Sequence, residues 1–263
     1  MYLVGRNQVI RRHSLTSTMR MFHKMGYGGM ELSIVRGMFP VLALDYMDDY
    51  VIKEVNALSD ELSFPITALA CHKNYVTDED TFNAQARLLQ TARKYRTDIV
   101  IMSTGLPLEE REMHPELYEA LVKKTRSLCN IAEENGVKIA IEVEPNQLVR
   151  NLKIFLDLAG KVKSPALKLN FDVGHFYLSE VDLFKTIDRA KDFIVYSHIE
   201  NMCIGEHCHK LPWDGEIDLL SVYRKLKETC YDGPVSLDIY IQDYEKVAPD
   251  CLAYINREVF SKL

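Results

Sequence analysis

Residues 115–146 read PELYEALVKKTRSLCNIAEENGVKIAIEVEPN and contain the two kinds of element from which we predict the whole fold. Apolar residues in the first part recur mostly at steps of three and four, which predicts an amphipathic helix over Pro115–Asn135 that stops at Gly136. The apolar run Lys138–Glu144 then predicts a buried β-strand. A helix followed directly by a buried strand is the repeating unit of α/β proteins.

The same alternation recurs along the chain, with further predicted helices at Leu15–Met25 and Leu219–Cys230. Eight short apolar runs predict strands at Tyr2–Gly5, Met30–Val35, Ile66–Cys71, Asp98–Ser103, Lys138–Glu144, Ala166–Phe171, Ile194–Glu200 and Val235–Tyr240. Eight strands alternating with helices match the (β/α)₈ TIM barrel in number and length. The alternative is a doubly wound open sheet, which usually has a glycine-rich turn where this chain has GRNQVIRR. No linker or charge block interrupts residues 1–263, so we expect one domain.

Composition and charge limit the functions that the chain can have. Lys and Arg number 32, Asp and Glu number 38, and the net charge is −6. This argues against a protein whose main task is to bind a nucleic acid backbone, although a local basic groove is compatible with it. No apolar run approaches the ~20 residues of a membrane-spanning helix, and the N-terminus lacks the pattern of a secretory signal. Six cysteines without a CxxC pair predict reduced thiols in a cytoplasmic protein.

Acidic and imidazole side chains stand near the carboxyl ends of four successive predicted strands, where the active sites of TIM barrels lie. They are Glu142, Asp172, His198 and Asp238. Each alone has an ordinary explanation, such as a salt bridge, a helix cap or a hydrogen-bonded core histidine. Together, three carboxylates and one imidazole suit Mn²⁺, Mg²⁺ or Co²⁺, and also Zn²⁺. A shared cation would offset the repulsion among the carboxylates, so we predict one divalent metal ion, with Mn²⁺ first.

Other polar residues near the same strand ends are weaker candidates for substrate binding. They are Glu31, His72, Glu144 and Glu200. Each has a plain alternative as a salt-bridged, supporting or solvated residue. Trp213, the only tryptophan, follows the seventh predicted strand. It could cover the pocket as an apolar lid or simply pack within its loop.

The segment CIGEHCHK, residues 203–210, contains two histidines and two cysteines. Structural zinc sites space their ligands in separated pairs, whereas here His207, Cys208 and His209 are adjacent and no CxxC accompanies them. The spacing therefore predicts a flexible substrate-binding loop rather than an independent zinc site.

Five segments resemble the xylose-isomerase-like barrel superfamily, which includes sugar-phosphate isomerases and epimerases, ketose 3-epimerases, inosose dehydratases and family 2 apurinic endonucleases. They are GYGGMEL at 26–32, IAIEVEPN at 139–146, NFDVGH at 170–175, SHIEN at 197–201 and GEIDLLSVYRKLKETCYDGPVSLD at 215–238. The resemblance implies a TIM barrel in which the four strand-end residues named above hold one divalent metal ion. It also implies that His175 and His209 contact the substrate.

The chemistry of that superfamily implies removal of a proton from a carbon next to a carbonyl, through a metal-stabilised enediolate. Glu142 would be the base on one face, and Asp238 would return a proton from the other. Return to the opposite face of the same carbon gives an epimer, and return to the neighbouring carbon gives an aldose–ketose isomer. The epimerases generally have Glu in place of Asp238, and the shorter side chain makes two-base epimerisation less secure than metal binding.

Three other functions are compatible with the sequence. A dehydratase of a cyclic keto-polyol would use the same site and expel a β-hydroxyl. An apurinic endonuclease would need a cluster of metals and a histidine where the fourth strand ends in Met102 and Ser103. A non-catalytic sugar- or metal-binding barrel is favoured only by Asp238. The predicted partner is a small sugar, with or without phosphate, and members of the superfamily often pair into homo-oligomers.

Overall fold

Eight parallel strands form a closed barrel in the computed structural model, which describes residues 1–10, 12–36, 41–105, 114–240 and 243–263. We number the strands β1 (Tyr2–Arg6), β2 (Met30–Ser33), β3 (Ile66–Cys71), β4 (Ile99–Met102), β5 (Lys138–Glu142), β6 (Leu167–Asp172), β7 (Ile194–Ile199) and β8 (Pro234–Leu237). Each strand pairs with the next, and the barrel closes where Leu3 of β1 pairs with Val235 of β8. The TIM-barrel prediction is confirmed.

Helices lie between the strands, as the alternation in the sequence predicts. They are α1 (Leu15–Met25), α2 (Asp49–Leu62), α3 (Glu79–Thr91), α4 (Pro115–Glu134), α5 (Leu152–Val162), α6 (Val173–Ser179), α7 (Leu183–Ala190), α8 (Leu219–Glu228) and α9 (Tyr244–Glu258). The predicted helix Leu15–Met25 has those bounds, whereas the other two predicted helices end slightly earlier, at Glu134 and Glu228. None of the described helices is long and apolar enough to cross a membrane.

Two short antiparallel hairpins are separate from the barrel sheet. In the first, Val35–Arg36 pairs with Val41–Leu42, and in the second, Asn201–Cys203 pairs with Glu206–Lys210. The first hairpin corrects the predicted strand Met30–Val35, because β2 ends at Ser33. Both backbone groups of Ser33 are hydrogen-bonded to the side chain of Asn7, which closes the end of the strand.

The interior of the barrel has an apolar layer and a charged layer. The apolar layer is a cluster of Val4, Ala68, Ala70, Ile101, Ala140 and Tyr196, separate from the main core. Successive side chains of a strand point to opposite faces, so Ala140 shares a face with Glu142, and Tyr196 shares one with His198. The alternation that fills the barrel with apolar side chains therefore also places charged side chains at the carboxyl ends of the strands.

We expect Gly5→Ala to destabilise the protein by about 1–3 kcal/mol, because of the overpacking that an extra methyl group causes in a core. That methyl would lie 2.5 Å from Cδ2 of the buried Phe22. Gly160→Ala is the matched control, since its methyl has nothing within 4 Å, and a helix favours alanine by up to about 1 kcal/mol. Urea unfolding measures both changes. Changes of the same sign would contradict this packing of α1 on β1.

Candidate metal centre

The structure brings together the four residues singled out at the strand ends, Glu142, Asp172, His198 and Asp238. One ligand atom from each lies within 4.8 Å of the others, and each residue is at most 3% exposed. Two of them end β5 and β6, the third lies in β7, and the fourth directly follows β8. Because the parallel strands of a barrel end at one rim, residues far apart in sequence meet there. We call this set the carboxylate-rich centre.

His198 contacts all three acids of the carboxylate-rich centre. Its Nδ1 lies 2.9 Å from Oε2 of Glu142, 3.4 Å from Oδ2 of Asp238 and 3.6 Å from Oδ2 of Asp172. On the other side of the ring, Nε2 lies 2.8 Å from Oε2 of Glu31. A carboxylate at the second nitrogen orients the imidazole, as is usual for histidines that bind metals.

Several acids are buried close together in the carboxylate-rich centre, so their negative charges need positive charge nearby. Burial opposes ionisation of Glu142, but the neighbouring imidazoles outweigh it and hold its pKa well below the usual range. Burial also opposes protonation of His198, yet Glu31 and Glu142 raise its pKa well above the usual range. Nδ1 of His198, Oδ2 of Asp172 and Oδ1 of Asp238 form no hydrogen bond within the described residues. These donor atoms and the surrounding negative charge fit a divalent cation.

Arg6 is a member of this site that the sequence pattern did not indicate. It is 1% exposed, and Nε lies 2.9 Å from Oε1 of Glu31 while Nη1 forms an ion pair with Asp238. Nη2 donates to Oε1 of Gln8 at 3.1 Å. Burial opposes ionisation of Asp238, but Arg6 holds its pKa well below the usual range. The sequence pattern predicts a first strand that ends at Gly5, whereas β1 ends at Arg6. Because the predicted strand is one residue too short, Arg6 does not stand out as a charged residue at a strand end.

A cavity of about 410 Å³ adjoins the carboxylate-rich centre and has Glu142 and Asp238 in its lining. Its walls include Gln8, His72, Glu144, Gln147, His175, His209 and Tyr240. Two other clefts, of about 620 and 890 Å³, are lined by none of the four centre residues. Of these three clefts, as the described residues line them, the smaller one is where a small molecule would reach the centre.

Three histidines proposed from the sequence to bind substrate lie in this cavity wall. His175 stands at the start of α6, where its Nδ1 lies 3.5 Å from Oδ1 of Asp172. His209 donates from Nδ1 to the backbone carbonyl of Asp238 at 3.1 Å. His72 also lines the cavity. Each of these imidazoles can thus contact a molecule that reaches the carboxylate-rich centre.

Glu144 is the acidic candidate that lines the cavity without belonging to the centre. Gln147 donates its amide to Glu144, and Oε1 of Gln147 accepts from Oγ1 of Thr104 at 3.1 Å and from the backbone N–H of Gly105 at 2.6 Å. Burial raises the pKa of Glu144 to about 7. Near neutral pH its carboxyl group can therefore either donate or accept a hydrogen bond.

Glu31 and Glu200 are not among the described residues that line this cavity, and their role in substrate binding stays a prediction. Both are fully buried. Glu31 pairs with Arg6 and His198, and Glu200 accepts the backbone N–H of Gly174 at 2.7 Å. Burial, together with nearby acids, raises the pKa of Glu200 well above the usual range. These two residues support the centre from within the protein.

Trp213 is also not among the described residues that line the cavity, and its role in substrate binding stays a prediction. Its ring is 43% exposed and packs edge to face against Tyr254 of α9, with ring centroids 5.4 Å apart. This contact packs the ring against an outer helix. The expected loop at residues 203–210 is instead part of the second hairpin.

We expect Mn²⁺ to raise the free energy of unfolding of the wild-type protein. An ion that binds only the folded state raises it by RT ln(1 + [ion]/Kd), where Kd is the dissociation constant of the ion. His198→Gln removes the single nitrogen donor of the centre. It should weaken Mn²⁺ binding by at least the ~10–100-fold that follows loss of a residue supporting a metal ligand. His23→Gln, at an exposed position of α1, is the matched control. An unchanged Kd for His198→Gln in calorimetric titration would contradict the ligand assignment.

We expect Arg6→Met to lower the free energy of unfolding of the metal-free protein by about 3–5 kcal/mol, because it leaves buried acids without their counter-charge. Those acids are Glu31 and Asp238. Mn²⁺ should recover part of the loss by supplying positive charge beside Asp238. Arg20→Met breaks an exposed pair with Glu61 and should change little. Equal losses in the two variants, measured by urea unfolding, would refute the importance of the buried pair.

Comparison with known proteins shows which family the chain resembles. A family model described as xylose isomerase-like TIM barrel matches residues 19–257. The 3-dehydroshikimate dehydratase of Bacillus anthracis is 24% identical over 209 residues, which are 78% of this chain and 71% of that protein. The L-ribulose-5-phosphate 3-epimerase UlaE of Shigella flexneri serotype 5b (strain 8401) is 20% identical over 239 residues, 88% of this chain and 84% of that protein.

A solved structure supports the same fold. The IOLI protein, in a crystal structure with a zinc atom, matches with a TM-score of 0.82 at 20% identity, over 100% of this chain and 99% of that chain. The two relatives named above are enzymes, and the resemblance found in the sequence motifs is confirmed. On the match of residues 19–257, this chain belongs to the xylose isomerase-like TIM barrel family.

Proposed function

We propose that this chain is an enzyme that uses one divalent metal ion, Mn²⁺ first, to isomerise or epimerise a small sugar or sugar phosphate. The observation that carries the proposal is the position of Glu142, which belongs both to the carboxylate-rich centre and to the cavity lining. An ion held by the four residues of that centre would stabilise negative charge that develops on substrate oxygens. The activities named for the two relatives, an epimerase and a dehydratase, support chemistry of this kind.

Glu142 has the placement of a general base. Its Oε2 accepts a hydrogen bond from Nδ2 of Asn170 at 2.7 Å and lies 2.9 Å from Nδ1 of His198. Its Oε1 lies 3.6 Å from Nδ1 of His72 and 3.8 Å from Nδ1 of His175, both in the cavity lining. One oxygen is thus held inside the centre, and the other lies beside the cavity walls. There it can accept a proton from a substrate carbon.

Asp238 also belongs to both the carboxylate-rich centre and the cavity lining, so it is the group that would return a proton to the opposite face. Its ion pair with Arg6 favours the charged form, so little of the protonated form is present to return a proton. Aldose–ketose isomerisation on one face moves a proton between neighbouring carbons and needs only one base. Within the proposed function, this ion pair therefore favours isomerisation by Glu142 over two-base epimerisation.

The same ion pair supports a second candidate function, dehydration of a cyclic keto-polyol. After Glu142 has taken the proton, a β-hydroxyl would leave as water and would need an acid beside it. His175 lies in the cavity wall. Burial opposes its protonation, but Asp172 and Glu144 raise its pKa. A protonated His175 can therefore donate to a leaving hydroxyl, and no second carboxylate base is required.

Incubation with Mn²⁺ in D₂O tests the proposal on a panel of ketoses, ketose phosphates and 3-dehydroshikimate. We expect Mn²⁺-dependent incorporation of deuterium at a carbon next to a carbonyl. Proton NMR measures this incorporation as the loss of the corresponding proton signal. A new aldose indicates isomerisation, an inverted ketose indicates epimerisation, and an unsaturated product indicates dehydration. Absence of any exchange across this panel in the Mn²⁺-loaded protein would count against the proposed function.

We expect Glu142→Gln to reduce this exchange by about 10²–10⁴-fold or more, since that is the usual contribution of a positioned base. The assay uses Mn²⁺ at a concentration shown by calorimetry to saturate the variant, because Glu142 is also a metal donor. Glu206→Gln, at an exposed position of the second hairpin, is the control and should retain exchange. Wild-type exchange in Glu142→Gln would exclude Glu142 as the base.

A further inference from the structure

The cleft of about 890 Å³ lies apart from the carboxylate-rich centre and from the smaller cavity. It shares no described lining residue with either of them. Its walls come from α6, the connection between α6 and α7, the turn of the second hairpin and the start of α8. Four acids line it, and we therefore call it the acidic cleft. They are Glu180, Asp182, Glu216 and Asp218.

The acidic cleft also contains exposed apolar side chains. Val181 is fully exposed, Ile204 is 66% exposed and Phe184 is 46% exposed, and all three line the cleft. Among the described residues, eight large apolar side chains are exposed, so three of the eight are concentrated in one place. Exposed apolar surface with a polar rim is typical of sites that bind another protein.

The acids of the cleft are held in position by hydrogen bonds that they accept. Asp182 caps α7, Asp218 caps α8, and Glu216 accepts from the backbone N–H of Ile204 at 3.0 Å. Backbone N–H groups lower the pKa of Asp182 and of Glu216, and the Ser221 hydroxyl lowers the pKa of Asp218. These carboxylates therefore stay ionised near neutral pH and keep their place in the cleft wall.

Positive charge is scarce around this negative surface. No lysine or arginine is found among the described residues that line the acidic cleft. Nζ of Lys185 lies 3.3 Å from Oδ2 of Asp182, but the lysine side chain is highly exposed, and an ion pair of this kind contributes little. A symmetric contact between two copies of the cleft would bring the four acids of one chain against the same four of the other. The charge therefore opposes self-pairing and favours a basic partner.

We infer that the acidic cleft is a docking site for a basic segment of another protein, in which large apolar side chains are flanked by lysine or arginine. The apolar side chains of that segment would pack on Val181, Ile204 and Phe184. Its cations would lie beside the carboxylates of the cleft. Apolar anchors supply most of the affinity of such contacts, whereas complementary charge gives specificity and fast association.

The second hairpin connects the acidic cleft with the cavity. Ile204 lies in the turn of this hairpin, and the strand that follows the turn carries His209 into the cavity wall. Glu216 holds the turn, because its carboxylate accepts from Ile204 and its backbone N–H donates to the carbonyl of Met202 at 2.9 Å. A partner in the cleft would thus contact the same hairpin that lines the cavity.

Binding of a synthetic peptide to the purified protein tests this inference. The probe is a fluorescein-labelled hexapeptide of two lysines, leucine, phenylalanine and two lysines, and fluorescence anisotropy measures its Kd. We expect a Kd below about 1 mM. Two control peptides, one with glutamates in place of the lysines and one with serines in place of leucine and phenylalanine, should bind at least about tenfold more weakly. Added salt should also weaken the binding of the probe, because it screens exposed charges.

Substitution of the apolar residues locates the bound peptide. Val181→Ser combined with Phe184→Ser should weaken binding of the probe by about tenfold or more, because it removes two of the apolar contacts. Val41→Ser combined with Tyr50→Ser is the matched control, since both of these side chains are exposed and lie outside the acidic cleft. The control should keep the wild-type Kd. Urea unfolding of both variants checks that the fold is retained.

Removal of charge without loss of the hydrogen-bond acceptors gives a second readout. Asn caps a helix as well as Asp does, so Asp182→Asn combined with Glu216→Gln removes two negative charges and leaves the local structure in place. We expect the probe to bind about tenfold more weakly and with less dependence on salt. Asp60→Asn combined with Glu61→Gln is the matched control, because these exposed acids are also paired, with Arg96 and Arg20, but lie outside the cleft.

Three results would overturn the docking site. The first is a probe that binds no tighter than either control peptide, and the second is a wild-type Kd in both cleft variants. The third is a wild-type dimer in light scattering that Val181→Ser with Phe184→Ser separates into monomers, because the cleft would then belong to a second copy of this chain. None of these measurements involves a metal ion or a sugar, so the docking site and the proposed function can fail separately.

Discussion

The pairing of Arg6 with Asp238 and Glu31 is the interaction on which the rest of this site depends. Several carboxylates inside one barrel would repel each other and lose their hydration, so each needs a positive partner or a proton. Arg6 supplies charge to two of them, and Glu31 in turn contacts Nε2 of His198. His198 then presents Nδ1 to Glu142 at 2.9 Å. The orientation of the imidazole therefore follows from a charge at the end of β1.

The barrel architecture supports this cluster of buried charges. Beneath the charged layer, small and apolar side chains such as Ala68, Ala70 and Ala140 fill the interior without polar atoms. Glu31 and Glu200, which are not among the described residues that line the cavity, occupy buried positions around the centre. A site built on strand ends is held by the whole ladder of the barrel, which keeps the donor atoms in position.

The residues around the cavity divide by chemistry into two neighbouring groups. The three carboxylates come from the ends of β5 and β6 and the residue after β8, whereas two of the three neighbouring imidazoles of His175, His207 and His209 come from the second hairpin. Asp172 connects the groups, because its carboxylate caps α6 and faces Nδ1 of His175. The lining of a single cavity thus has hard oxygen donors, on Glu142 and Asp238, and borderline nitrogen donors, on His175, His207 and His209. Asp238, ion-paired with Arg6, belongs to the first group, and its backbone carbonyl accepts a hydrogen bond from His209.

The sequence by itself determined the barrel and the carboxylate-rich centre, because both follow from local patterns. Apolar runs alternating with helices indicate eight strands, and the alternation within each strand marks Glu142 and His198 as inward charges. What only the tertiary structure decided are relations between distant segments. Arg6 pairs with Asp238 across the closing seam of the barrel, Trp213 packs on α9, and His175 joins His207 only after α6 and the hairpin are placed. Sequence spacing reports neighbours within one element, whereas these contacts depend on which elements the closed barrel brings together.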